Sequence, residues 1–230
     1  MSIFDAKLDE SSSILVAAMA PADCRILFEH AHRTSYPAGQ MIFAAGEPGQ
    51  MVMLIETGRV EVSVTSMTGR KSVLAHMGPG EVLGEIAALD GGVRSADTVA
   101  TTPVTGLVLS RENILKFVAE RPAIAQAIIT ELCRKVRNAS DMFTTQSITE
   151  GGPRLAQALL RLFDKWGVAE ENATLLSERF SQTEIGEFSG LARENVNRHL
   201  KSWAELGILN TQGRRLRLID RAALENIAAG

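Results

Sequence analysis

The hydrophobic residues of this chain follow two different periods. Between Gly39 and Gly106, eleven of the nineteen glycines separate short apolar and β-branched runs. Turn residues at this spacing are typical of an antiparallel β-barrel or roll. The runs that we predict as strands are Val52–Ile55, Val60–Val64, Val73–Leu74 and Thr105–Leu109. Residues 8–32 and the residues after Ser110 have helical periodicity, so helices are expected on both sides of the roll.

The pattern after Ser110 is interrupted by Pro122 and then predicts one helix to about Gln146. Apolar residues along this helix are spaced 4, 3, 4, 3 and 4, which is the seam of a coiled coil. A helix that only packs on its own roll is the alternative, but a regular seam favours a parallel dimer. The seam residues that we place in the dimer interface are Ile129, Leu132, Val136 and Phe143.

A break at Glu150-Gly151-Gly152-Pro153 is interpreted as a hinge, after which a new helix begins with Pro153 in its first turn and ends at Gly167. Its buried stripe should comprise Leu155, Leu159, Leu162, Phe163 and Trp166. We therefore predict an α+β chain with three parts: a β-roll domain at 1–110, a dimerisation helix and hinge at 111–150, and a helical domain at 151–230.

The last part contains two short helices around a tight turn, Ser189-Gly190-Leu191. The first opens on the capping box of Ser181 and Glu184, and should bury Ile185 and Phe188. The second should bury Val196, Leu200, Trp203 and Leu206. This arrangement predicts a helix-turn-helix. Its exposed residues share one face, as a helix that reads a DNA groove requires; they are Arg193, Glu194, Asn197, Arg198 and Lys201.

The net charge of −3 conceals a local basic patch. Arg193 to Arg217 contains six basic and two acidic residues, whereas Asp164 to Glu187 contains six acidic and two basic ones. Within the patch, two apolar runs flank residues 211–215 and predict a hairpin wing, on which Arg214 and Arg215 would bind DNA phosphates. A solvated charged helix in an ordinary three-helix domain is the alternative, and Ala192 is a poor cap for the second helix.

Composition narrows the class of protein. The chain is 45% hydrophobic and 22% charged, an ordinary globular balance, and no apolar run approaches the roughly 18 residues of a membrane span. Two cysteines suit a reducing cytoplasm and are too few for an all-cysteine iron–sulfur cluster. No metalloprotease, P-loop, hydrolase or zinc spacing is found, so we expect no enzyme, no catalytic residue, no metal site and no cofactor.

The roll contains one candidate ligand site. Glu85 and Arg94 are nine residues apart, across a glycine-rich turn between strands. Arg94 can bind a phosphate through its planar guanidinium, with Ser95 adding a hydroxyl and a backbone N–H, while Glu85 can accept hydrogen bonds from ribose hydroxyls. A surface ion pair between Glu85 and Arg94 explains the two charges equally well.

The sequence Pro79-Gly80-x-x-x-Gly84-Glu85…Arg94-Ser95-Ala96 resembles the phosphate-binding cassette of cyclic-nucleotide-binding domains. Together with the seam helix and Arg193-Glu194-x-x-x-Arg198, the chain is similar to the cyclic AMP receptor protein/fumarate–nitrate regulator family over about residues 15–220. The resemblance implies a homodimeric, allosteric transcription regulator that binds a cyclic purine nucleotide and double-stranded DNA, with RNA polymerase as a further partner. The DNA-docking geometry that the resemblance implies is that of the family's founding member, a well-known helix-turn-helix protein.

The same resemblance implies roles for individual residues. Glu85 would bind the ribose 2′-hydroxyl, helped by the Gly84 backbone; Arg94 and Ser95 would bind the cyclic phosphate. The remaining residues assigned to the nucleotide site are Ile86, Ala139 and Ser140. Ala139 and Ala75 replace hydroxyl residues of the family beside the purine, so cyclic GMP is expected to bind within about two orders of magnitude of cyclic AMP. On DNA, Arg193, Glu194 and Arg198 imply a palindromic TGTGA-like site.

Two other classes stay open on the sequence alone. One is a regulator of the same fold that senses haem, a redox group or a metabolite, or that needs no nucleotide. A visible absorption spectrum would reveal a bound haem or another coloured group. The other is an enzyme, which a nucleotide hydrolysis assay would reveal.

Overall fold

The computed structural model describes residues 26, 29–69, 71–148, 150–212 and 214–230. The chain divides into two compact units, the first ending at Asn138 and the second running from Ala139 to Gly230. Each unit is built around its own apolar core.

The first unit is a β-roll of two four-stranded antiparallel sheets, in the orders β1-β8-β3-β6 and β2-β7-β4-β5. Its strands are β1 (His32–Tyr36), β2 (Met41–Phe43), β3 (Met51–Thr57), β4 (Val60–Thr65), β5 (Lys71–Met77), β6 (Val82–Leu83), β7 (Asp97–Ala100) and β8 (Val104–Ser110). The four strand predictions are confirmed, because each predicted run lies within β3, β4, β5 or β8. The helix predicted for residues 8–32 is wrong at His32, where β1 begins; residues 8–25, 27 and 28 lie outside the described residues.

Both faces of the first sheet are buried. Met53 and Ile55 point toward the second sheet, where they meet Val60 and Ala100. The alternate residues of the same strand, Val52 and Leu54, point to the opposite face, as the two-residue period of a strand requires. There they pack against two helices, α2 (Arg111–Glu120) and α3 (Pro122–Ser147). This second core fixes the first half of α3 against the roll.

Local signals explain where these helices begin. The Ser110 hydroxyl accepts a hydrogen bond from the Asn113 N–H at 3.2 Å and caps α2. Pro122 occupies the first position of α3, where its missing N–H is not needed. The predicted interruption at Pro122 is therefore the junction between two helices.

The second unit contains α4 (Gly151–Trp166), which buries four residues of its predicted stripe: Leu155, Leu159, Leu162 and Phe163 are at most 3% exposed. The fifth, Trp166, is only half-buried, because it is the last residue of the helix. The predicted hinge needs a correction, because Gly151 and Gly152 form the first turn of α4. The Glu150 carbonyl starts the helix by accepting from the Arg154 N–H, so the break in the chain precedes the glycines.

The helix-turn-helix consists of α5 (Gln182–Ser189) and α6 (Arg193–Glu205). The capping box is confirmed: the Ser181 hydroxyl accepts from the Glu184 N–H at 3.1 Å, and the Glu184 carboxylate accepts from the Ser181 N–H at 2.7 Å. Leu206, predicted as buried, is 69% exposed. It caps the end of α6 before Gly207 at φ 73°, so the chain turns there and the helical period no longer applies.

A four-stranded antiparallel sheet completes the second unit, in the order β11-β12-β10-β9. The predicted wing is β11 (Leu209–Gln212) and β12 (Arg215–Leu218), and the hairpin of β9 (Gly167–Glu170) and β10 (Ala173–Leu176) extends it. The final helix, α7 (Arg221–Ala229), packs on α4. Among the described residues, no helix is long and apolar enough to cross a bilayer.

Candidate ligand site and nucleic-acid interface

In the segment that contains Glu85 and Arg94, the Gly84 backbone lies close to the Arg94 guanidinium. Gly84 precedes the short helix α1 (Glu85–Asp90) in the left-handed conformation, with φ 79°. A Cβ atom on Gly84 would lie 2.3 Å from Arg94 Nη1. Both the backbone angle and the guanidinium therefore require glycine at this position.

Arg94 is 5% exposed, and its guanidinium is bound by the protein itself. Nη1 donates to the Gly84 carbonyl at 2.9 Å and Nη2 donates to the Met51 carbonyl at 2.8 Å. The guanidinium also lies 3.8 Å from the centroid of the Phe43 ring, a cation–π contact. Burial lowers the pKa of Arg94 below its usual value, while the nearby Glu85 carboxylate raises it. A buried, oriented cation therefore faces the site.

Glu85 is 8% exposed and pairs with a residue that the sequence analysis did not select. Lys135 Nζ, on α3, donates to Glu85 Oε1 at 2.6 Å. The surface ion pair between Glu85 and Arg94 considered above is therefore not formed: both side chains are buried and each has another partner. Since Lys135 binds Oε1, the second carboxylate oxygen of Glu85 is left for a further donor.

Lys135 belongs to a larger cluster of charges between α3 and the turn before α1. Arg134 donates to Glu131 through two nitrogens, and its Nη2 lies 4.0 Å from Glu81 Oε1. Glu81 and Glu131 are each 6% exposed. One signal could have revealed this cluster: Glu131 and Lys135 continue the face of α3 on which Ile124, Ala127 and Ile128 are buried. Charges on an apolar helix face usually have buried partners.

The other residues assigned to the nucleotide lie in different surroundings. Ile86, in the first turn of α1, is 39% exposed, and Ser95 is exposed beside Arg94. Ala75 is half-buried on the edge of the core between the sheets. Ala139 and Ser140 are exposed residues of the second unit, and their role beside the base remains a prediction.

The seam of α3 is divided between two environments. Ile129, Val136 and Phe143, which are seven residues apart, are 60%, 65% and 75% exposed. Leu132 instead packs partly buried against the core beneath α3. Three large apolar side chains at heptad spacing thus remain on the surface of one helix.

The basic face of α6 consists of charged side chains that do not pair with the protein. Arg193, Glu194, Arg198 and Lys201 are exposed, and within the described part of the chain they make no side-chain hydrogen bond or ion pair. Two other arginines of the unit are paired, Arg217 with Glu170, and Arg221 with Asp164 and Glu225. The charges of α6 are therefore available to a molecule outside the chain.

Three further predicted contacts border this face. Asn197 is half-buried, and its Oδ1 accepts from Gln182 Nε2, on α5, at 3.1 Å. Arg214 is exposed at the tip of the wing with φ 68°, next to Gly213, which lies outside the described residues. Arg215 Nη1 lies 3.5 Å from the Ser177 carbonyl.

The His199 side chain, on α6, lies close to Gly151 and Gly152 in the first turn of α4. A Cβ on Gly151 would lie 3.5 Å from His199 Nε2, and one on Gly152 would lie 3.6 Å from its Cε1. The imidazole also stacks on Trp203, with ring centroids 5.6 Å apart. Burial lowers the pKa of His199 below its usual 6.5, and the charge of Arg198 lowers it further. Across the described residues, no three His, Cys, Asp or Glu side chains are grouped as metal ligands.

Comparison with known families and proteins matches a domain family to each of the two units. The cyclic nucleotide-binding domain family matches residues 33–121, and the Crp-like helix-turn-helix domain family matches residues 153–227. The cyclic AMP receptor protein of Thermus thermophilus is 33% identical over 218 residues, covering 95% of this chain and 98% of that protein. A CRP-like cAMP-activated global transcriptional regulator of Mycobacterium tuberculosis is 28% identical over 204 residues, covering 89% of this chain and 91% of that protein.

Among solved structures, FixK2 of Bradyrhizobium japonicum is similar with a TM-score of 0.76 and 25% identity, over 87% of this chain and 98% of that one. The two matched domains follow the order of the two units described above. The predicted α+β fold, with its roll and helix-turn-helix, is confirmed. The chain belongs to the cyclic AMP receptor protein family of DNA-binding transcription regulators, and not to a family of enzymes.

Proposed function

We propose that this protein is a homodimeric regulator that binds a 3′,5′-cyclic purine nucleotide in its roll and a palindromic DNA site through its two α6 helices. The observation that carries the nucleotide half is the arrangement of Arg94 and Glu85. Both are buried and their charges are opposite, but they do not pair with each other: Arg94 donates to main-chain carbonyls, and Glu85 accepts from Lys135. An ion pair formed only for stability would join the two charges directly.

This arrangement suits a cyclic phosphate attached to a ribose. The Arg94 guanidinium has N–H groups beyond the two that bind carbonyls, and these can donate to phosphate oxygens together with the exposed Ser95. Glu85 uses one oxygen for Lys135 and can accept the ribose 2′-hydroxyl with the other. A phosphate and a ribose at this spacing favour a cyclic nucleotide over a haem or a redox group.

We assign cyclic AMP as the effector, with cyclic GMP binding less tightly. The relatives named for cyclic AMP support this choice. Ala75 and Ala139 have no hydroxyl to select the polar edge of a purine, so the preference should stay within about two orders of magnitude. Discrimination above a thousandfold would show that other groups select the base.

Dimerisation through α3 is proposed because Ile129, Val136 and Phe143 form an exposed apolar stripe with heptad spacing. A two-fold dimer would place its two α6 helices in successive major grooves, roughly 34–36 Å apart. Nucleotide binding would act by favouring one arrangement of the two protomers, to the extent that it binds that arrangement more tightly.

On DNA, Arg193 and Arg198 are suited to guanine O6 and N7, and Glu194 to the cytosine N4 amine. This set supports a TGTGA-like half-site. Lys201, Arg214 and Arg215 are assigned to phosphates, where they would add affinity that depends on salt but not on sequence. Once bound, the regulator would influence RNA polymerase at the promoter.

Two measurements test the proposal. Calorimetric titration with cyclic AMP and cyclic GMP should show binding of both, and the absence of binding would refute the effector assignment. Fluorescence anisotropy with nucleotide present should then compare a matched duplex with a guanine-substituted one. Arg193→Ala should cost about 1–3 kcal/mol per half-site and remove the preference for one guanine, whereas Arg215→Ala should weaken both duplexes alike. If Arg193→Ala also weakens both equally, Arg193 contacts backbone and the placement of α6 is wrong.

A further inference from the structure

The first residue of α5 contacts the middle of α6. Gln182 Nε2 donates to Asn197 Oδ1 at 3.1 Å, and Asn197 lies on the face that also carries Arg193 and Arg198. Asn197 Nδ2 has no hydrogen-bond partner within the described part of the chain. The Asn197 side chain is therefore held through its Oδ1, and its Nδ2 is available to donate to another molecule.

Gln182 is itself held in place. It follows the Ser181 cap directly, and the capping box fixes the start of α5. The two helices also approach closely at Gly186, where a Cβ would lie 3.7 Å from Val196 Cγ2 on α6 and 2.7 Å from the Leu191 carbonyl in the turn. Both amides thus lie on helices whose relative position is fixed by packing, which keeps them within hydrogen-bond distance, with Gln182 as the donor.

The polarity of an asparagine amide determines which base it can read. A free asparagine reads adenine with both groups, accepting from N6 and donating to N7. An asparagine whose oxygen is occupied offers mainly its N–H donors. In the major groove such donors meet acceptors on guanine (O6 and N7) and on thymine (O4), and on adenine only N7 beside the N6 donor, whereas cytosine presents only the N4 donor.

We propose that Gln182 is a positioning residue that makes Asn197 a donor-only reader, so that one inner position of each half-site prefers guanine or thymine over cytosine. This inference rests on the proposed binding of α6 in the major groove. It assigns a base preference to a position that Arg193, Glu194 and Arg198 leave open, and it gives Gln182 a role in specificity without contact to a base.

Two substitutions at Gln182 separate polarity from packing. Gln182→Lys keeps only a donor, so Asn197 Oδ1 stays occupied and the preference for guanine or thymine should persist. Gln182→Glu keeps only acceptors, so Asn197 must donate its Nδ2 to the new carboxylate and turn its oxygen outward. The preferred base should then change to cytosine or adenine. Asn197→Ala should abolish the preference at that position in either background.

The experiment measures anisotropy on duplexes in which each inner half-site position carries each base in turn, with cyclic AMP present. We expect guanine or thymine to exceed cytosine by about 3- to 10-fold per half-site in the wild type, and the ratio to invert in Gln182→Glu. Ratios between duplexes are compared, because the added charge weakens binding to all of them. Tryptophan fluorescence melts check folding, since Trp166 and Trp203 both lie in this unit.

Two results would overturn the inference: the same base profile in Gln182→Glu as in the wild type, or a wild-type preference for cytosine at the position that Asn197→Ala affects. The guanine assigned to Arg193 serves as the internal reference. If its preference is retained while the Gln182 variants change nothing, only this inference fails. If the wild type has no preference at that guanine either, the proposed placement of α6 in the groove fails with it.

Discussion

Replacing Arg94 by leucine should weaken nucleotide binding and also destabilise the first unit. The side chain is 5% exposed and donates to two carbonyls, of Gly84 and Met51. The Gly84 carbonyl also accepts from the Ala88 N–H at 3.2 Å, so leucine removes one of its two donors and takes from the Met51 oxygen the donor that Arg94 supplies. Each buried carbonyl without a donor costs about 1–3 kcal/mol. Leucine also avoids the desolvation of a charge, which is what lowers the pKa of Arg94. The net loss in free energy of unfolding should be about 1–4 kcal/mol.

The loss of nucleotide affinity is a separate quantity. Removing a buried, charge-assisted contact to a phosphate should cost about 2–5 kcal/mol, or roughly 30-fold to several-thousandfold in Kd. Arg94→Lys keeps the charge without the planar fork and should fall between leucine and the wild type. The ordering of these three proteins distinguishes charge from geometry.

The assay must report on the first unit. Both tryptophans, Trp166 and Trp203, lie in the second unit, so their fluorescence does not follow unfolding of the roll. Amide hydrogen exchange of β3 and β8 measures its stability, and calorimetric titration with cyclic AMP measures affinity. The control is Lys116→Leu, which removes an exposed cation of α2 that makes no side-chain hydrogen bond or ion pair within the described part of the chain, and it should change neither quantity. Wild-type affinity in Arg94→Leu would refute the phosphate assignment. Hydrogen exchange equal to that of Lys116→Leu would refute the argument from the carbonyl partners of Arg94.

Three other changes have defined outcomes. Lys135→Met should lower cyclic AMP affinity by about tenfold because the Glu85 carboxylate loses its 2.6 Å contact, while Lys135→Arg should preserve it; calorimetry in which the Met variant equals the wild type would contradict this. Val136→Asp puts a charge into the exposed apolar stripe of α3 and should yield a monomer by light scattering, with DNA binding lost; a stable dimer would place the interface elsewhere. The pKa of His199 is lowered by folding, so its contribution to the free energy of unfolding is complete above pH 6.5 and is lost as the pH falls below that value. Lowering the pH from about 7 to about 5 should therefore destabilise the second unit more in the wild type than in His199→Gln, as measured by thermal melts. An equal dependence of the melting temperature on pH in the two proteins would exclude His199 as the cause.

Much of the secondary structure could be predicted because its signals are local. The capping box of Ser181 and Glu184 connects residues three apart, and the strand runs around Val60 and Thr105 carry their own period. The same reasoning failed where an element ends. Leu206 follows the helical pattern but comes after the last turn of α6, and Gly151 joins α4 although glycine pairs usually break helices.

The amino-acid sequence by itself determined the order of a β-roll, a long helix and a helix-turn-helix, the turn around Gly84, and the charged face of α6, since each depends on residues close together in the chain. Only the tertiary structure decided what the buried charges bind. Glu85 pairs with Lys135, fifty residues away, and Arg94 donates to Met51, forty-three residues away. Gln182 likewise reaches Asn197 only because two helices pack around a turn. A buried charge takes whichever partner the packing of strands and helices brings within about 3 Å, and no pattern along the chain encodes that distance.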